Sequence, residues 1–278
     1  MKIDAHHHCW RYTAEEFDWI NYDMRAIRRD FFPVDLAPQL AAAGLNGTVV
    51  VQARQTLLET RMLLELARQN SFIKGVVGWV PLIDPQVGQL LDGFKGETKL
   101  KGVRHVLQGE PDDYMSNPAF DAGLKAVAAR GLRYDLLVKA PQLPAALKLV
   151  DRHPTLSFVL DHIAKPAITG AGAPPPEWRK LMTELARRPH VCCKFSGVVT
   201  EVHGYEWTAQ LLKPYFDIVL HAFGPERLMF GSDWPVCLVA SDYVRWFRFV
   251  EQCTAALSPA ESRSILGGTA ARFYRLTA

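Results

Sequence analysis

At 278 residues, with 49% hydrophobic and 22% charged positions, the chain has the size and balance of a globular protein that closes its own core without a disulfide or a structural metal. Its 32 basic and 29 acidic residues leave a formal charge of +3 with no basic run or basic helix face, so neither nucleic acid nor a membrane surface is an expected partner. No stretch approaches the ~20 apolar residues of a membrane span; the N-terminal MKIDAHHHCW turns polar at once, without signal-peptide character, and the cytoplasm is the expected location.

The first strand is expected over Lys2–His8. There Asp4-Ala-His6-His7-His8 turns an apolar beginning into a polar cluster, and strand alternation puts His6 and His8 on one face and His7 on the other. Two imidazoles side by side at the carboxyl end of a strand can share a metal ion or a substrate oxygen. A tag remnant is the competing reading, and the shortness of the run within IDAHHHCW argues against it. From Trp10 to Pro38 an aromatic and charged segment with Phe31-Phe32-Pro33 reads as loop and short helix lying over the strand ends.

The second strand, Gly47–Ala53, runs out into Gln52 and Arg54, and a helical period follows over Glu59–Gln69. Strands at Gly75–Val80 and Leu100–Val106 come next, the latter ending in Arg104, His105 and Gln108. Helix Pro118–Arg130, strand Arg133–Val138 and helix Leu143–Asp151 lead to a sixth strand, Leu156–Asp161, which breaks off in Asp161-His162-Ile-Ala-Lys165-Pro166. Gly170, Gly172 and Pro174-Pro175-Pro176 exclude regular helix from the loop Lys165–Glu177. Helix Trp178–Arg188, strand Val191–Ser196 with Lys194, helix Thr208–Phe223, strand Leu228–Ser232 and helix Tyr243–Cys253 complete the series.

Strands that alternate with helices imply parallel βαβ units. The nearly continuous apolar runs at Thr48–Val51, Leu156–Leu160 and Leu228–Phe230 suit strands covered on both faces. Polar residues gather at the carboxyl ends of strands from both the start and the end of the chain, and only a closed barrel brings those ends together. Residues 1–278 are therefore expected to form a single (β/α)8 TIM barrel domain, with no internal repeat or linker. The five cysteines are an odd number without CxxC spacing and are read as reduced thiols.

Asp233, directly after the last apolar strand in Gly231-Ser232-Asp233-Trp234-Pro235, suits a general base over the barrel mouth, with the helix N-cap as the bland alternative. His162 at its strand tip reads as a second functional group or as a loop histidine bonded to backbone. Arg54, Arg104, His105, Lys194 and Trp234 each read alone as structural; together they are candidates for a substrate pocket, with Trp10 and Trp79 as further walls.

The set IDAHHHCW, KGVRHVLQ, LDHIAKP, CCKFSGVVTE and MFGSDWPVC, in this order, resembles the amidohydrolase superfamily, and within it the branch of sugar-lactone hydrolases and 2-pyrone-4,6-dicarboxylate lactonase. The resemblance runs from residue 2 to the closing GGTAARFYRL. It implies an enzyme that opens a small-molecule lactone with water. His6, His8 and His162 match the family's histidines, and Asp233 its water-activating aspartate. The chain departs from the two-metal members: the fourth strand ends in Arg104-His105, and the fifth in Val138-Lys139, where related decarboxylases place a histidine. One divalent ion, zinc or similar, on His6, His8, His162 and Asp233 is compatible with the resemblance, and so are metal-free catalysis and a homo-oligomer. A metal-dependent decarboxylase and a non-catalytic sugar-acid-binding barrel are the alternatives.

Overall fold

The computed structural model describes residues 1–170 and 173–277; Gly172 of the predicted Gly/Pro loop lies outside the described residues. Eight parallel strands follow one another around a single sheet in chain order: β1 Ile3–His7, β2 Gly47–Val51, β3 Ile73–Gly78, β4 Leu100–His105, β5 Arg133–Leu136, β6 Phe158–Leu160, β7 Val191–Phe195 and β8 Leu228–Phe230. The His8 amide donates to the Trp234 carbonyl at 2.6 Å and the Asp233 amide to the His6 carbonyl at 2.8 Å, which joins the last strand to the first. The fold is the expected (β/α)8 barrel. No helix among the described residues is long and apolar enough to cross a membrane.

The helices are α1 Pro33–Ala43, α2 Leu57–Gln69, α3 Val87–Asp92, α4 Pro118–Ala129, α5 Leu143–Arg152, α6 Pro176–Ala186, α7 Ala209–Phe223, α8 Tyr243–Cys253, α9 Pro259–Arg263 and α10 Thr269–Phe273. Helices α3, α9 and α10 have no counterpart in the sequence expectation, and α1 and α6 differ from theirs in extent. Helix α1 begins inside the Trp10–Pro38 segment read as loop and short helix and runs on to Ala43; at the first helical position Pro33 forfeits no hydrogen bond and supplies a preset φ. Asp35 then accepts the Phe32 amide at 2.9 Å, and Gly44 at φ 70° closes the helix. Helix α6 likewise takes Pro176 and Glu177 from the predicted loop. All eight strands stop one or two residues before their predicted ends: Asp161, Ser196 and Ser232 already belong to the loops that carry the site.

The barrel interior is layered by polarity. Ile3, Ala5, Val49, Val51, Val77, Val159 and Met229 fill its lower part, and Phe273 and Tyr274 at the chain's end pack against them. Arg104, Asp135, Asp161 and Lys194 lie above them, almost wholly shielded from water. A register shift between Asp4 and His7 lets His6 and His8 join the face that Ile3 and Ala5 occupy. Asp4 faces outward instead and ties the seam to α8. Its carboxylate accepts the Ser232 amide (2.8 Å), the Ser232 hydroxyl (2.6 Å), the Tyr243 hydroxyl (3.0 Å) and the His6 amide (3.1 Å).

Removing that carboxylate leaves several buried donors without acceptors, each at a cost of about 1–3 kcal/mol. Asp4→Ala is therefore expected to lower unfolding free energy by on the order of 3 kcal/mol, read from urea denaturation; an unchanged midpoint would mean that other contacts hold the seam.

Candidate active site

At the carboxyl ends of the strands a cavity of about 460 Å³ opens, with Asp233, His8, His162 and Arg104 on its floor. Three imidazoles point their Nε2 atoms at one oxygen: Asp233 Oδ1 lies 3.2 Å from His8, 3.7 Å from His6 and 3.8 Å from His162. His8 Nδ1 lies 2.8 Å from the Val51 carbonyl and must donate to it, while His162 Nδ1 meets the Ser196 hydroxyl at 2.9 Å. His8 Nε2 therefore faces a carboxylate oxygen, and either a proton on that nitrogen or a cation between the two atoms satisfies the pair.

The backbone is strained where these groups sit. His162, Ile163, Ala164 and Lys165 form a left-handed turn with φ between 48° and 61°, and Asp233 has φ 58°. Non-glycine residues adopt this region at a cost of roughly 1 kcal/mol each, and such strain gathers at functional sites. Gly197 (φ 63°) makes the approach of the two elements feasible: a Cβ there would lie 2.6 Å from His162 Nδ1 and 2.9 Å from Asp233 Oδ2.

Beneath the imidazoles lies the charged layer. Arg104 donates from Nη1 to Asp161 Oδ2 at 3.0 Å and from Nη2 to the Gln52 carbonyl. Lys194 donates to Asp135 and stands 3.0 Å from Asp161 Oδ1 and 3.1 Å from His6 Nδ1. Tyr274 donates its hydroxyl to Asp135 from below, at 2.8 Å. Burial and then the Lys194 charge push His6 well below the usual imidazole range, so it is neutral. Burial also brings His162 down to about 4, against the pull of Asp233. For Asp233 burial acts upward, but the three histidines outweigh it and hold the carboxyl well below its usual range. Asp161 is lowered in the same way, by Lys194, His6 and Arg104 against its burial.

The other candidate residues fall apart by position. Arg54 does not line the cavity, because its guanidinium pairs with Glu59 at 2.7 Å and with Glu16. His105 points away from Arg104, as alternation requires, and meets Glu110 at 2.9 Å and Trp79 at 3.3 Å. Trp234 is buried against Phe31, and Trp10 packs against Phe31 and Phe17. Trp19, from the predicted covering segment, lines the cavity instead, with Gln108, Lys139, Lys165, Glu201 and Tyr205. Asp135 and Asp161 have no role in the sequence reading. The signal for Asp135 is a carboxylate within RYDLLV, an apolar strand covered on both faces, where a buried charge requires a partner.

A closed (β/α)8 barrel whose strand ends gather three imidazoles and a carboxylate defines an amidohydrolase-type protein. The chain belongs to the amidohydrolase family, whose profile matches residues 3–276. It is 41% identical to the L-fucono-1,5-lactonase of Burkholderia multivorans, over 99% of this chain and 96% of that protein. The L-fucono-1,5-lactonase of Burkholderia ambifaria is 39% identical over the same shares. Among solved structures, an amidohydrolase from Burkholderia multivorans with bound zinc superposes with a TM-score of 0.96, at 41% identity and full coverage of both chains.

Gly197→Ala is expected to displace His162 and Asp233 and to lower kcat/KM by about 100-fold, with the circular dichroism spectrum kept. Full activity in a folded variant would show that the site tolerates their separation.

Proposed function

We propose that this protein is a lactone hydrolase that opens a sugar aldonolactone to its hydroxy acid, with L-fucono-1,5-lactone as the leading substrate. The observation that carries the reading is the convergence of His6, His8 and His162 on Asp233 Oδ1 at the cavity floor. The two Burkholderia lactonases supply the substrate class. A cavity of about 460 Å³ with Lys139, Gln108, Tyr205 and Trp19 on its walls suits one small hydroxylated ring.

Ligand atoms of His6, His162 and Asp233 lie within 4.8 Å of one another, and His8 reaches the same oxygen. The separations of 3.2, 3.7 and 3.8 Å between Asp233 Oδ1 and the three Nε2 atoms suit donors to one zinc-like ion, and the cavity above them leaves room for a water. Such an ion, held by His6, His8, His162 and Asp233, would acidify a water and polarise the lactone carbonyl. Asp161 supports this set by position: its Oδ1 lies 3.4 Å from His6 Nδ1 and helps to orient the ring, whose Nε2 faces Asp233 at 3.7 Å and the Arg104 guanidinium at 3.2 Å. Asp233 takes the proton from water as its oxygen attacks the carbonyl carbon. The ring C–O bond then breaks, and Asp233 returns the proton to the departing alkoxide. Arg104, fixed by Asp161, keeps a positive charge beside the developing oxyanion.

We assign residues 1–278 to one barrel domain. Its five thiols are free, which fits the reducing cytoplasm to which we assign it. The decarboxylase alternative is disfavoured by Lys139, three residues past β5, where the family resemblance implies a histidine in those enzymes.

Asp233→Asn is expected to lower kcat/KM on L-fucono-1,5-lactone by about 1,000-fold in a pH-indicator assay; retention of full activity would remove Asp233 from the role of base. Chelation followed by gel filtration is expected to abolish acid release, and added zinc to restore it. Activity that survives chelation would reassign the imidazoles to direct contact with the lactone.

A further inference from the structure

We infer that the ammonium of Lys194 occupies the place of a second divalent cation in this barrel, so that the site takes one exchangeable metal ion and no more. Among the described residues two groups bring metal-type ligand atoms within 4.8 Å: His6, His162 and Asp233, and beneath them His6, Asp135 and Asp161. His6 is common to both. The upper group opens to the cavity through His162 and Asp233, whereas every member of the lower group is fully shielded from water.

The lower group already surrounds a cation. Lys194 Nζ is 3.1 Å from His6 Nδ1 and 3.0 Å from Asp161 Oδ1, and it is bonded to Asp135 Oδ2. One imidazole and two carboxylates are a donor set that a manganese- or zinc-class ion accepts. Here the same atoms are turned on a nitrogen that is tethered to β7 and cannot dissociate. The charges agree. Lys194 and Arg104 balance Asp135 and Asp161 in this layer, and a divalent ion added beside the ammonium would leave an uncompensated buried charge. Lys194, a candidate for substrate contact on sequence grounds, is thus a positioning residue. It is fully buried, does not line the cavity, and acts on the site through Asp161 and His6.

Replacing the lysine with alanine removes the ammonium and empties the space its chain fills, which converts the lower group into a cation site. The inference rests on the proposed function only for the ion in the upper group, and the test separates the two. Full-length wild type, Lys194→Ala and Lys194→Ala/Asp135→Asn are stripped with chelator and incubated with excess Mn²⁺. They are then desalted and assayed for manganese per chain by elemental analysis, with thermal melting followed in parallel. Lys194→Ala is expected to retain one more Mn²⁺ per chain than wild type and to gain more thermal stability from it; the double variant is expected to return to the wild-type count.

Equal counts in folded wild type and Lys194→Ala would overturn the inference. Should Lys194→Ala be recoverable only when refolded with Mn²⁺, that dependence supports it. Should it not be recoverable at all, Asp135→Asn alone decides: an unchanged count supports the inference, and the loss of one ion refutes it. A wild type that holds no Mn²⁺ beside a Lys194→Ala that holds one would sink the metal-assisted reading of the upper group and leave this one standing.

Discussion

Two cations and two carboxylates with almost no access to water set the terms for the rest of this molecule. Arg104 on β4, Asp135 on β5, Asp161 just past β6 and Lys194 on β7 would each cost several kcal/mol to bury alone. They are tolerable together, in one arrangement, because each finds an opposite charge at hydrogen-bond distance. A slip in register on any of these strands would leave a charge unpaired inside the barrel. The cluster therefore specifies strand alignment as strictly as the apolar layer below it does, and it fixes the height at which His6 sits.

The candidate site is built on that platform at some cost to stability. Four consecutive left-handed residues after β6 and a fifth at Asp233 are conformations the chain adopts only when tertiary contacts impose them. Hydrogen bonds from the platform and the seam supply those contacts: His162 to Ser196, and the Asp233 amide to the His6 carbonyl. Gly197 removes the one side-chain atom that would hold the two elements apart. Strain, pairing and a missing Cβ together aim three imidazoles at a single oxygen.

The arrangement also relates this chain to its family's chemistry. A lactone is an activated ester, and its opening requires an acidified water and a base more than it requires two metal ions. A neutral His6, an ionised Asp233 and a charge-balanced layer underneath are consistent with that modest demand. The cavity walls, with Trp19 from the segment before α1 and Lys165 paired to Glu201 at 3.1 Å, are where substrate selection would reside.

Much of this was legible in the amino-acid order. Alternating apolar runs and helical periods give the eight strands and the barrel, since both are local patterns of burial. The polar residues at strand ends mark the mouth, and strand alternation correctly separates His6 and His8 from His7, whose Nε2 meets Thr48 instead. Helix α1 extends past the segment read as loop and short helix because Pro33, at the first helical position, opens a helix instead of breaking one. The destinations of the longer side chains were not legible. Arg54, His105, Lys194 and Trp234 share with Arg104 a place near a strand end, yet only Arg104 reaches the cavity. Their directions depend on partners remote in sequence: Glu16 and Glu59 for Arg54, Glu110 for His105, Asp135 and Asp161 for Lys194, Phe31 for Trp234. Sequence by itself determined which residues stand at which strand and on which face, because backbone periodicity decides that within a few residues. The tertiary structure alone decided which buried charge meets which, because that is settled by the closure of the barrel and the need to neutralise every ion it shuts away from water.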